Sequence, residues 1–316
     1  MSEVLSRAPH IPVLLTPILD TLLPDGRRIE RVIDGTVGAG GHARAFLDAG
    51  AGGLLGFDLD PQALALAGRL LEPDLKSGRA TLVHASYATM THHAGLHGWR
   101  DGVDAILLDL GVSSMQLDTA ERGFAFMKDG PLDMRFDPSQ GTMTAADIVN
   151  FWDADSIADV LYRYGEERDS RRVARIIIAG RPFETTRQLA DVIKAAQRPV
   201  RGKPEPIHPA TRSFQALRIA VNDELTVVEQ AIPRALELLR PGGRLGIISF
   251  HSLEDRLVKH AFKEAATEII APPGMVIPEK QATVRLITRK PIEADDAERV
   301  SNPRSRSAKF RVVEKL

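Results

Sequence analysis

The stretch "VIDGTVGAGGHARAFL", Val32 to Leu47, limits what this chain can fold into more than any other. Apolar Val32 and Ile33 run into Asp34, a glycine-rich turn follows, and residues 42 to about 49 have helical spacing. A strand that enters a helix through a tight glycine turn opens a parallel α/β unit, and the outward N–H groups of that helix suit a ligand. Gly38-Ala39-Gly40-Gly41-His42-Ala43 fits the pattern G-x-G-x-x-G/A, and Asp58 lies 20 residues after Gly38, where a ribose-binding acid is expected. A dinucleotide, a nucleotide phosphate or another adenosine-containing cofactor would each fit such a turn.

The rest of the chain sets the sheet around it. "PVLLTPILDTLL" has helical spacing, "GLLGFDLD" reads as a second strand, and "PQALALAGRLL" as a helix with Pro61 in its first turn. "ATLVHASY" and "DAILLDLG" supply two more strands, the latter apolar enough to be covered on both faces. A parallel, doubly wound α/β sheet is expected. After Gly111 the alternation stops for about a hundred residues, filled by helical segments and ending in the proline-rich "RPVRGKPEPIHPA". "SFQALRIAVNDELTVVEQAIPRALELL" then reads as one long helical pattern, and "PGGRLGIISF" as a turn and fifth strand. The expected organisation is a Rossmann-like sheet domain, 1–114 and 213–316, interrupted by a helical insertion at 115–212.

The 316 residues, 43% hydrophobic and 26% charged, have the make-up of a soluble globular protein. "MSEVLSRAPH" holds no apolar core of signal-peptide length and no run approaches a membrane span, so a cytoplasmic, non-membrane protein is expected. Cysteine is absent, which removes thiolate nucleophiles, iron–sulfur clusters and cysteine-ligated zinc together. The net charge of −1 hides an asymmetry. Residues 160–220 carry 13 Lys/Arg against 6 Asp/Glu, and the tail 299–316 carries six against one. A nucleic-acid partner or a solvated basic face both account for it.

Three features favour S-adenosylmethionine (AdoMet) over a nicotinamide cofactor. Asp34, at the strand end before the loop, can receive a ligand amine or order the turn. The acid after the second strand is part of "DLDP", a pattern frequent in AdoMet enzymes, whose cofactor has ribose hydroxyls but no phosphate, and "LRPGGRLGIISF" looks like the late turn and strand of class I methyltransferases. Tyr87, after the third strand, is placed to lie against an adenine or simply to pack. Asp109 ends the most apolar strand, where a doubly wound sheet opens its ligand crevice.

Three longer blocks carry a specific resemblance: "LLDLGVSSMQLDTAERGFAFMKDGPLDMRFD", "HPATRSFQALRIAVNDEL" and "RLGIISFHSLEDRLVK". From His10 to the basic "NPRSRSAKFRV", the chain closely resembles the bacterial small-subunit (16S) ribosomal RNA cytosine-N4 methyltransferases, the RsmH (MraW) family. The resemblance implies a class I methyltransferase sheet with a helical, RNA-recognising insertion, AdoMet as donor and a decoding-region cytidine of the small ribosomal subunit as acceptor. It also implies homodimers. By position, the cofactor contacts would be Gly40, Gly41 and His42, then Asp58, Tyr87, Asp109 and Gln116, joining Asp34 and Gly38 from the loop itself. Tyr87 departs from the phenylalanine of familiar relatives, which leaves stacking possible and its hydroxyl without a role.

The chemistry agrees independently. Methylating carbon 5 of a pyrimidine ordinarily needs a cysteine to add to the ring, and this chain has none. An exocyclic amine needs only alignment and an acceptor for its proton, for which a carboxylate suffices. Asp109 is the first candidate, with His251 a second in "SFHSLEDR", a segment that also reads as a helix start with Ser252 as N-cap and Asp255 completing the box. No proline-proline-aromatic sequence follows Asp109, so base stacking would fall to Phe124, Phe126, Phe250 or His251. Arg171 and Arg172 are candidates to grip phosphates, and His208, Arg212 and Gln215 to touch RNA near the junction of insertion and sheet domain. His92, His93 and His97 have metal-like spacing but read as a surface loop without carboxylates, and no metal is expected. A nicotinamide oxidoreductase, and a non-catalytic ribosome-assembly factor on a vestigial cofactor fold, are the alternatives.

Overall fold

A computed structural model describes residues 12–24, 26–196, 208–269 and 279–316. Within them the proline-rich stretch after 196 and the chain before Pro12 are not included, so the basic Arg198, Arg201 and Lys203 and the start of the resemblance at His10 lie outside the described residues. The chain divides into two compact units, Met1–Gly111 with Leu225–Leu316, and Val112–Glu224.

The first unit opens with α1 (Leu15–Leu22), then alternates β1 (Arg31–Asp34), α2 (Gly41–Asp48), β2 (Gly53–Asp58), α3 (Pro61–Leu70), α4 (Glu72–Lys76), β3 (Ala80–His84), α5 (Met90–Leu96) and β4 (Val103–Asp109). The second unit holds α6 (Ser114–Asp118), α7 (Ala145–Phe151), α8 (Ala154–Gly165), α9 (Ser170–Gly180), α10 (Thr186–Ala196) and α11 (Ala210–Asn222). The chain then returns through α12 (Glu224–Leu238), β5 (Leu239–Ser249), α13 (Ser252–Ala265), β6 (Val284–Leu286), α14 (Asp296–Ser301) and β7 (Lys309–Lys315). The seven strands run in the order β3-β2-β1-β4-β5-β7-β6.

The five expected strands pair in parallel. The sheet as a whole is mixed, because β7 enters antiparallel between β5 and β6. This also corrects the reading of the tail as a basic surface. Arg311 pairs with Asp255 at 2.7 Å, and Glu314 holds Arg244 at 2.9 Å and Arg285 at 2.7 Å. Those charges brace the sheet.

Both sheet faces are covered, as the run "AILLD" requires. Ile106 and Leu108 of β4 join one buried cluster with Ile33, Phe57 and Ile247, while Ala105 and Leu107 join the other with Phe46, Leu54 and Phe310. The second unit has its own core, including Leu132, Ile148, Leu161, Ile177 and Leu217. The long helical pattern expected after residue 212 is broken. Asp223 adopts φ 49° and separates α11 from α12, while Arg218 and Glu224 pair across the break at 2.8 Å. An aspartate can enter the left-handed region at modest cost, so no glycine or proline marks the stop.

Candidate cofactor and methyl-acceptor site

The glycine loop leaves β1 at Asp34 and enters α2 at Gly41. Gly40 has φ +91°, and a Cβ there would come 3.3 Å from the backbone of Ala67 on α3, so the loop packs tightly only with glycine at this place. The Gly38 N–H donates to Asp58 Oδ2 at 2.8 Å, and the Asp60 N–H donates to Asp58 Oδ1 at 2.8 Å. The loop and the acid at the end of β2 are therefore one construction. Asp58 still has acceptor capacity, since a carboxylate offers about four lone-pair directions.

Three carboxylates gather at the carboxyl ends of β1, β2 and β4. Asp34 is fully buried; its Oδ1 accepts from the Thr36 N–H at 3.1 Å, and its Oδ2 has no hydrogen-bond partner among the described residues. Burial raises its pKa to about 7, against the opposing pull of His42 and the Thr36 N–H. Burial likewise takes Asp58 to about 6, opposed by the N–H groups of Asp60 and Gly38. Asp109 is also raised by burial, with His42 and Arg304 pulling down and Glu254 pushing up. Its backbone N–H donates to Thr36 Oγ1 at 2.6 Å, while its Oδ1 is buried without a hydrogen-bond partner among the described residues.

His42 lies in the first turn of α2, 6% exposed. Its Nε2 is 2.9 Å from the Val13 carbonyl, so that nitrogen carries the proton, and Nδ1 stands 3.8 Å from Asp109 Oδ2. Buried carboxylate oxygens without a partner among the described residues, here Asp34 Oδ2 and Asp109 Oδ1, disfavour an anion beside them and suit a cation. A ligand carrying an ammonium and a sulfonium fits them, and a pyrophosphate does not.

The other sequence candidates fall as follows. Tyr87 is half-buried in a 3-10 turn, Tyr87–Thr89, directly after β3. Gln116 belongs to the second unit, where it completes a capping box by accepting from the Ser113 N–H at 2.9 Å. At "SFHSLEDR" the helix start is real but its residues differ from expectation. His251, not Ser252, is the N-cap; its Nδ1 accepts from the Glu254 N–H at 3.4 Å, and Glu254, not Asp255, completes the box. Glu254 Oε2 also accepts from the Phe250 N–H at 2.8 Å. His251 Nε2 stands 3.1 Å from Glu254 Oε1 without hydrogen-bond alignment. Asp255 is drawn away to Arg311 and Lys309.

In the second unit Arg171 is exposed on α9, and Arg172 is half-buried with Nη1 buried and unpartnered among the described residues. Arg212 is exposed on α11, and Gln215 donates to the Tyr164 carbonyl at 3.0 Å. The His208 ring packs against Phe126 at 4.6 Å, and Phe126 against Phe214 at 4.9 Å. Phe124 is 6% exposed and stacks on Phe136, which removes it as a base platform.

His92 and His93 lie on α5 rather than in a loop, and His93 sets its ring edge-on to Phe57 at 5.6 Å. Among the described residues no group of three His, Cys, Asp or Glu has metal-holding geometry. A cleft of about 340 Å³ that includes Arg31, Arg79, Thr81 and Trp99 lies at the amino ends of the strands, away from the glycine loop. Arg304 was not anticipated. It reaches from the 3-10 turn Pro303–Ser307 to lie over the Phe250 ring, 5.8 Å from its centroid.

Strand order, glycine loop and an acid at each of three neighbouring strand ends together define a class I AdoMet-dependent methyltransferase. Residues 7–316 match the model of the MraW methylase family, and the chain belongs to that family. It is 48% identical over 314 residues to "Ribosomal RNA small subunit methyltransferase H" of Heliobacterium mobile, covering 97% of this chain and 99% of that one. To the protein of the same name from Citrifermentans bemidjiense it is 47% identical over 314 residues, covering 97% and 98%.

Proposed function

We propose that this protein transfers a methyl group from AdoMet to the exocyclic N4 of a cytidine in the decoding region of small-subunit ribosomal RNA. AdoMet, when bound, supplies an electrophilic methyl on a sulfonium. Asp34, Gly38, Gly40, Gly41, His42, Asp58, Tyr87 and Asp109 form the cofactor set of the first unit. In it Asp58 takes the ribose hydroxyls, Asp34 the amino group, and Tyr87 the adenine face.

The observation that carries the acceptor chemistry is the buried Oδ1 of Asp109 at the end of β4, which has no hydrogen-bond partner among the described residues. The N4 lone pair is delocalised into the ring, and a carboxylate accepting one N–H localises it toward the methyl. As the N–C bond forms and the C–S bond breaks, nitrogen becomes cationic and its proton becomes acidic enough for the carboxylate to take. Asp109 thus stabilises developing positive charge in a water-poor pocket. His251, its Nδ1 already accepting from the backbone, serves this chemistry by holding Phe250 and Glu254 in place. In the second unit Arg171 and Arg172 supply phosphate contacts, with His208, Arg212 and Gln215 in support.

The test is to incubate the protein and AdoMet with small ribosomal subunits, naked ribosomal RNA and short RNA, then digest and identify the modified nucleoside. N4-methylcytidine is expected, with the particle preferred because orientation is most of the catalysis. Methyl on carbon 5 or on ribose would overturn the acceptor assignment.

A further inference from the structure

The end of the strand that carries Asp109 is held by a side chain where the sheet ladder gives out. β1 and β4 pair in parallel as far as Asp34 and Leu107, and the Gly35 N–H donates to the Leu107 carbonyl at 2.9 Å. Continued one step, that ladder would have the Gly35 carbonyl receive the Asp109 N–H. The chain has by then turned into the glycine loop, where the Val37 N–H donates to the Phe57 carbonyl of β2 at 2.9 Å. Thr36 Oγ1 fills the missing rung, accepting the Asp109 N–H at 2.6 Å, while the Thr36 N–H donates to Asp34 Oδ1 at 3.1 Å. Gly35 lets the loop lie this close to β4, since a Cβ there would collide with Leu108 Cδ2 and come 3.0 Å from Tyr87 Cβ. On the opposite side of β4 the Leu110 N–H donates to the Ile248 carbonyl of β5 at 3.0 Å.

The Asp109 carboxyl has little else to fix it. Its Oδ1 has no hydrogen-bond partner among the described residues, and its Oδ2 stands 3.8 Å from His42 Nδ1, beyond hydrogen-bond reach. The carboxyl therefore takes its aim from the main chain that carries it. Transfer of a methyl in line between two atoms is sensitive to such aim, and a displacement of about 1 Å can cost on the order of 10²-fold in rate. Threonine suits the position, because a β-branched side chain is stiff about χ1 and its hydroxyl oxygen can accept where the main chain cannot. Resting on the reading that Asp109 receives the N4 amine, we propose that Thr36 is a positioning residue for methyl transfer, its hydroxyl standing in for a main-chain carbonyl to aim the Asp109 carboxylate. Through its N–H the same residue holds Asp34, so one loop position sets the carboxylates at the ends of β1 and β4 relative to each other.

The experiment compares Thr36→Val, which keeps the shape and the N–H but deletes the acceptor, with Thr36→Ser, which keeps the acceptor. Single-turnover methyl transfer to small ribosomal subunits is followed at saturating AdoMet over a range of subunit concentrations. Thr36→Val should lower the maximal rate about ten- to a hundredfold, with the half-saturating subunit concentration within about twofold of the parent's. Thr36→Ser should come within about threefold of the parent rate, the remaining loss reflecting a looser χ1. Calorimetric AdoMet affinity should stay within about twofold for both, below the scale of one lost hydrogen bond. In an Asp109→Ala background, where nothing is left to aim, Thr36→Val should slow the reaction by no more than about twofold further, because residues that act as a unit are not additive. Should Thr36→Val not fold, Thr36→Ala carries the same comparison with the same outcomes. Transfer by the valine variant at the parent rate would overturn the proposal, as would serine no faster than valine, or the full extra loss in the Asp109→Ala background. Loss of AdoMet binding in Thr36→Val would also overturn it, by giving the hydroxyl to the cofactor. Failure of the underlying reading looks different: Asp109→Ala alone would then turn over at the parent rate, or the methyl would appear elsewhere than N4.

Discussion

Replacing Asp34 by asparagine separates what the fold tolerates from what the ligand requires. Folded, Asp34 holds its proton to about pH 7 because it is fully buried. The unfolded chain releases it near 3.9. Between those values the unfolded state binds fewer protons, so the free energy of unfolding falls as pH rises, by up to about 1.4 kcal/mol per unit. Over that window of roughly three units the carboxylate costs the ligand-free protein at most about 4 kcal/mol, fully expressed above pH 7. Asparagine keeps an oxygen for the Thr36 N–H and removes the titration, but buries an amide that costs about 1–3 kcal/mol unpaired.

The ligand-free variant should therefore be more stable than the parent by about 1–3 kcal/mol at pH 8 and less stable at pH 4.5. The difference should climb by about 3 kcal/mol across that range, an upper limit because Asp58, Asp109 and His42 titrate beside it. Urea unfolding followed by Trp99 fluorescence in a Trp152→Phe background reads the first unit alone, since Trp99 lies in that unit and Trp152 in the other. The same variant should bind AdoMet about tenfold or more weakly, having lost the charge that meets the amino group. A more stable protein with a weaker ligand is the expected signature. Parallel pH curves for the two proteins would refute the reasoning.

Other expectations follow from the same geometry. Asp58→Ala should weaken AdoMet by about 1.5–3 kcal/mol, and unchanged calorimetric affinity in a folded variant would remove Asp58 from the site. Arg171→Ala with Arg172→Ala should weaken RNA binding and reduce the slope of log affinity against log salt, while AdoMet affinity barely moves. An unchanged slope would make the arginines of α9 a solvated face.

The parts legible in the sequence were those whose causes are local. β1, β2 and β4 are largely apolar runs that end in Asp34, Asp58 and Asp109, so both the strands and the acids at their ends can be read from local sequence. β7 was hidden because "KFRVVEK" intersperses charges whose burial is permitted only by distant partners, Asp255 and Arg244. The stop at Asp223 was hidden because its backbone strain is held by tertiary packing rather than by a glycine. His251 was passed over as a cap because serine is the commoner cap, and the reciprocal bond from Glu254 decides otherwise. The approach of His42 to Asp109 depends on where the helix returns to the sheet, which no local pattern records. The candidate site was therefore legible as a list of acids and glycines, and illegible as a charge arrangement.

The most direct measurement is the single-turnover rate of methyl transfer to small ribosomal subunits by Asp109→Asn, with AdoMet saturating and its affinity measured alongside. Asparagine keeps the shape and removes the charge that receives the amine proton. The rate should fall by about 10²–10³-fold, the scale of losing a preorganised electrostatic group, in a folded protein that still binds AdoMet. Full turnover by that variant would contradict the account and move the proton acceptor to Ser249, His251, Ser252, Glu254 or Asp255 of "SFHSLEDR".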